Sequence, residues 1–158
     1  MQRFVINFIS AVFSQTRLSE FEYIAHSLIE KGDPISKDIL NSKYKELVEK
    51  YNGKIVKQIK EDVGASWMRI PHLYRPYYVF SYATGMISAI TFVSKMLNNQ
   101  EGAVDRYLTF LKSGLSDYST NILENAGVDL KSDEPYKIAF GEFEWALDEM
   151  DKLIKKLF

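Results

Sequence analysis

Apolar residues recur at three- and four-residue steps along most of this chain, the period of a helix that buries one face. The clearest run is the last one. Tyr136, Phe140, Phe143, Leu147, Met150, Ile154 and Leu157 alternate steps of four and three without a slip. Glu134 and Pro135 mark its start, acidic residues crowd its first half, and Lys152, Lys155 and Lys156 close it, as the helix dipole prefers. So strict a seam suits a coiled coil, but the short Pro- and Gly-bounded segments upstream favour docking onto them instead.

The same pattern predicts the helices before it. The first runs from the N-terminus through Leu18, Phe21, Ala25 and Leu28 to about Lys31, where Gly32-Asp33-Pro34 stops the ladder. A second, capped by Ser36, carries Ile39, Leu40, Tyr44, Leu47, Val48 and Tyr51 and closes at Asn52-Gly53. Ile55 to Ile59 fits a further helical turn or a strand, with helix preferred, and Gly64 breaks it. A long helix is expected from near Pro76 to Asn98, with Val79, Tyr82, Met86, Ile90 and Val93 in register and Ala83, Gly85, Ser88 and Ala89 allowing close backbone approach. Gln100 to Ser113 reads as another helix, and Ser119 to Asn125 as a short one ended by Gly127. The expectation is an all-α fold, an irregular multi-helix domain spanning 1–158 as a single unit.

The start of the chain adds a complication. Arg3 followed by Phe4 to Phe13 has the flavour of a short signal-peptide core, yet no small-x-small cleavage site follows and the helical pattern continues past it. The stretch is too short to span a bilayer. Because it is apolar on nearly every side, this helix calls for burial from several directions, by a second copy or by a complementing chain.

Composition narrows the partners. The chain has 158 residues, 46% of them hydrophobic, enough for a real core. Twenty basic residues nearly balance 21 acidic ones and form no basic stripe, which argues against nucleic acid and anionic membrane as partners. The absence of cysteine excludes disulfides, thiolate metal sites and a cysteine nucleophile, and suits a reducing, cytoplasmic location.

Candidate chemistry concentrates between Trp67 and Ala89. One of the chain's two histidines, His72, stands there with Tyr74, Tyr77, Tyr78 and Tyr82, bracketed by Pro71 and Pro76. A residue before proline is pushed out of the α region, so Ile70 and Arg75 are not mid-helix and His72 sits on an irregular turn. Imidazole and phenol can both donate to an oxyanion developing on a carbonyl. A tyrosine row at helical spacing is also an ordinary core edge, and both readings stand on the spacing alone. Elsewhere, Glu22, His26 and Glu30 share one helical face and could hold a divalent metal, but a single nitrogen ligand suits zinc poorly, and a solvated ion-pair face is the simpler expectation. No H-E-x-x-H, phosphate-binding glycine loop or G-x-S-x-G is present.

The segment Arg69-Ile70-Pro71-His72-Leu73-Tyr74-Arg75-Pro76-Tyr77-Tyr78-Val79, with Tyr82-Ala83-Thr84-Gly85, resembles the histidine/tyrosine segment of the oligoendopeptidase F family, zinc oligopeptidases related to thimet oligopeptidase. Phe13-Ser14-Gln15-Thr16 with Glu20-Phe21-Glu22 resembles the family helix that follows the zinc ligands. Phe110-Leu111-Lys112-Ser113-Gly114, Ser116-Asp117-Tyr118 and Ala126-Gly127-Val128-Asp129 resemble its C-terminal segment. The resemblance implies the all-helical C-terminal portion of a metallopeptidase, whose zinc ligands and water-activating glutamate would lie before Met1. No cofactor would then be held by this chain, zinc belonging to the complete family site. It implies His72 as a binder of substrate backbone or oxyanion, Tyr82 as the tyrosine donor, and Tyr74 and Tyr78 as alternates on the substrate side. Phe80 departs from the family, which often has tyrosine there, and Leu115 and Ser119 replace a usual glycine and proline. Two functions are expected from different classes: part of a hydrolase acting on short peptides once completed by the zinc-binding half, or a non-catalytic helical module that binds a peptide or partner.

Overall fold

The computed structural model describes residues 1–53 and 61–157, and among them every regular element is a helix. The chain is all-α. The order is α1 (Gln2–Phe8), a π-helical segment (Ile9–Ser14), α2 (Gln15–Glu30), α3 (Lys37–Asn52), two 3-10 segments (Glu61–Arg69 and Pro71–Tyr74), α4 (Phe80–Leu97), α5 (Ala103–Ser113), α6 (Ser119–Asn125) and α7 (Glu134–Leu157). The expected helix over Ile55 to Ile59 lies outside the described residues. No helix among the described residues is long and apolar enough to cross a membrane.

Contacts divide the chain into two compact units, Ser10–Ala83 and Met1–Ile9 with Thr84–Phe158. The first is built on α2 and α3. The N–H of Gly32 donates to Ile29 and that of Asp33 to Leu28, the paired bonds of a Schellman stop that needs the positive φ of Gly32. Ser36 then caps α3 by accepting from the N–H of Ile39. Leu18, Phe21, Tyr44, Leu47, Val48 and Val79 form the buried core, with Ile24, Leu40, Trp67, Ile70 and Leu73 packed against it. Trp67 donates its indole N–H to Asn41 on α3 at 2.9 Å. Gly64, expected to break a helix, instead lies within the first 3-10 segment. A Cβ there would come within 2.6 Å of the Asn41 carbonyl oxygen, so the glycine serves a close approach of backbones.

A polar tie joins α2 to α3 beside that core. Lys50 donates to one oxygen of Glu20 at 2.6 Å and the Tyr51 hydroxyl to the other at 2.8 Å. The Lys50 hydrogen bond holds the Glu20 carboxyl below its ordinary range against the opposing pull of burial, and the Tyr51 bond adds to it. Burial and the carboxylate together push the Tyr51 phenol up to about 12. A depressed folded pKa gives stability that is present above the unfolded value and lost as the pH falls. The urea midpoint should therefore drop as the pH is lowered from about 5 to about 3, by a share equivalent to at most about 1 kcal/mol because Lys50 is largely solvated. Glu20→Gln should remove that share of the slope; an unchanged slope would show that the tie contributes nothing.

In the second unit α1 lies against α7. Phe8 is fully buried, stacked on Phe143 with ring centroids 4.4 Å apart and edge-on to Phe140 at 5.4 Å. Val5 is buried with it, whereas Ile6 and Ile9 are exposed. Phe92, Ala126 and Val128 anchor a cluster that Met96, Tyr107, Phe110 and Leu123 complete. The partly buried Lys95 ammonium satisfies itself on the Gly127 carbonyl and the Glu134 carboxylate.

Two helix starts fall later than the pattern predicts. α5 begins at Ala103 rather than Gln100 because Gly102 takes a left-handed turn immediately before it. α4 begins at Phe80 rather than near Pro76 because Tyr77, a non-glycine residue, holds φ at +55°.

Candidate functional site

The late start of α4 creates the site. Ile70 and Arg75, each preceding a proline, are both extended, and between them Pro71–Tyr74 makes a single 3-10 turn that carries His72. Leu73 packs on the core of the first unit and Val79 is buried within it, which fixes the backbone on either side of the Arg75 to Tyr78 bend. Ser81 donates both its hydroxyl and its N–H to the Tyr78 carbonyl, closing the turn that leads into α4.

Three of the four expected residues meet there. The imidazole of His72 stacks on the Tyr78 ring at 5.8 Å with planes 13° apart, and meets the edge of Tyr82 at 6.1 Å; Tyr78 and Tyr82 are 5.9 Å apart. Tyr74 does not join them. It is 83% exposed at the end of the 3-10 turn, and because residues 75–79 are not helical no helix spans Tyr74, Tyr78 and Tyr82.

The Arg75 guanidinium lies 5.3 Å from the centre of the Tyr78 ring, a cation–π contact that sequence reading missed, although the Arg-Pro dipeptide already placed Arg75 in extended backbone. Partial desolvation raises the Tyr78 phenol above its ordinary value, the neighbouring Tyr82 hydroxyl adds to the effect, and Arg75 opposes it. Tyr78 is therefore a neutral hydroxyl donor at neutral pH. Half-buried His72 and partly exposed Tyr82 complete a cluster of three donors with an open side.

The Glu22, His26, Glu30 face is not the solvated ion-pair face it was expected to be. Glu22 is buried and accepts the N–H of Tyr77 at 2.7 Å, and the His26 ring lies 4.8 Å from the Tyr77 ring. No group of three or more histidines, cysteines or carboxylates placed to hold a metal ion occurs among the described residues. Glu22 is the second feature missed, since its partner stands 55 residues along the chain.

The sequence pattern of Peptidase family M3 matches residues 2–142, which include this whole cluster. The chain belongs to peptidase family M3. It is similar to Oligopeptidase PepF of Bacillus subtilis, 42% identical over 95% of this chain and 22% of that protein, and to Group B oligopeptidase PepB of Streptococcus agalactiae, 36% identical over 99% of this chain and 26% of that one. The crystal structure of oligoendopeptidase-F from Enterococcus faecium superposes with a TM-score of 0.94 at 37% identity, covering 98% of this chain and 30% of that one. This M3 chain thus spans about a quarter of the length of the relatives it matches. The resemblance drawn from the Arg69 to Val79 segment and the all-α expectation both hold across nearly the whole chain.

Proposed function

We propose that this chain supplies the substrate-gripping half of a zinc-dependent oligopeptidase site. His72 and Tyr82 donate to the substrate backbone or to the oxyanion that develops on the scissile carbonyl, Tyr78 buttresses them, and Tyr74 is available to the substrate at the rim. The observation that supports this reading is the mutual packing of His72, Tyr78 and Tyr82, three hydrogen-bond donors brought together beside an exposed edge.

The donor set of this chain does not fit zinc. It has two histidines, no H-E-x-x-H, and no metal-holding group among the described residues. In this reading the metal and the base that activates water come from another part of the peptidase, which docks where the N-terminal helix leaves Ile6 and Ile9 uncovered; a second copy of the chain is the competing occupant. A cytoplasmic location and short peptides as substrates belong to the same reading.

The test is completion. The purified chain should show no chelator-sensitive cleavage of short peptides, and adding the zinc-binding half of a family member should restore it. Metal-dependent turnover that follows the isolated chain at constant specific activity would overturn the proposal. A folded complex that still fails to cleave would favour the non-catalytic binding module.

A further inference from the structure

The backbone at Tyr77 is held from α2 at two points. Its N–H donates to Glu22 Oε1 at 2.7 Å, within the charge-assisted range, and its ring rests 4.8 Å from His26, one helical turn further along α2. Glu22 is 5% exposed, and a buried carboxylate is tolerated only where hydrogen bonds replace water. Tyr77 in turn has φ +55°, a conformation that an L side chain adopts only when its surroundings impose it. Each anomaly accounts for the other. The carboxylate needs a donor, and the left-handed residue needs an anchor.

What the pair controls is the next residue. Tyr78 follows the left-handed bend immediately, and its ring is the one that lies nearly parallel to the His72 imidazole. Were residue 77 to relax into the helical region, Pro76 would become an ordinary first-turn proline, α4 would begin earlier, and Tyr78 would rotate away from His72. We propose that Glu22 is a positioning residue: through the Tyr77 N–H it holds the bend that sets Tyr78 against His72. Its effect on catalysis rests on the function proposed above, whereas its effect on geometry does not.

The test separates the two. In this chain, Glu22→Leu keeps an apolar-compatible volume but no acceptor, and should lower hydrogen-exchange protection of the Tyr77 amide by at least about tenfold and abolish the nuclear Overhauser contacts between the His72 and Tyr78 rings. Glu22→Gln retains an oxygen acceptor and should keep both. In a completed peptidase the leucine variant should lose at least about tenfold in kcat with KM within about twofold, and the glutamine variant should recover most of it. Retention of the His72–Tyr78 contacts in Glu22→Leu, or their equal loss in Glu22→Gln, overturns the inference. If Glu22→Leu does not fold, Tyr77→Gly in the same chain should rescue it, because glycine adopts positive φ freely; an unrescued chain assigns Glu22 to core packing instead. His72→Ala with unchanged turnover would sink the proposed function alone, since ring contacts and exchange decide the role of Glu22 without reference to activity.

Discussion

His72→Ala, made in a completed peptidase, is expected to lower kcat by about 10²–10³-fold while KM changes by less than about threefold. The split follows from where the charge is. A peptide carbonyl in the ground state is a modest acceptor, and the same oxygen in the tetrahedral intermediate carries a negative charge, so a pre-aimed donor is worth far more to the second than to the first. His72 is suited to that task because its turn is fixed by Pro71 and by Leu73 on the core, and because Tyr78 lies flat against its ring at 5.8 Å. Tyr82→Phe provides the control for chemistry against packing: it keeps the ring edge 6.1 Å from His72 and removes only the hydroxyl. A loss in kcat there marks Tyr82 as a second donor. Tyr74→Phe should do little, since Tyr74 stands apart from the cluster. If His72→Ala instead raised KM and left kcat intact, the residue would grip substrate and transition state alike, and its place in transition-state stabilisation would be lost.

How much of this was legible before the fold depends on whether the controlling interaction is local. The stop of α2 at Gly32, the Ser36 cap, the closure at Gly53 and the run of α7 are all set by neighbours a few residues apart, and the pattern of the chain predicts them. The irregular turn at His72 was equally readable, because proline restricts the residue before it whatever the tertiary context. Tyr77 was not. Pro76 reads as an ordinary helix start, whereas the backbone turns the other way at Tyr77, whose N–H meets the carboxylate of Glu22 and whose ring meets His26, both far away in the chain. For the same reason Glu22 read as a solvated charge at four-residue spacing. Tyr74 lies before that bend on the 3-10 turn, so no helix joins it to Tyr78 and Tyr82.

The second large effect concerns the core on which that turn is mounted. Tyr44→Ala should destabilise the α2–α3 unit by about 3–5 kcal/mol, the usual cost of emptying a buried aromatic site. Tyr44 is 2% exposed, meets Phe21 edge-on at 5.0 Å, and carries the Arg17 guanidinium 5.7 Å above its ring. Because α2 and α3 contribute facing walls of this cluster, little can collapse into the space left behind. The two tryptophans allow the unit to be followed separately: Trp67 packs in this core beside Phe21, whereas Trp145 is exposed on α7 in the other unit. In a Trp145→Phe background the fluorescence of Trp67 should report a urea midpoint about 1–3 M lower for Tyr44→Ala, and Tyr44→Phe should keep the larger part of the stability. A shift under about 0.5 M would mean that the cluster is not what holds these helices together. Val79 belongs to the same core and follows Tyr78 directly, so the alanine variant should also lose the His72–Tyr78 stack at urea concentrations where the parent chain retains it.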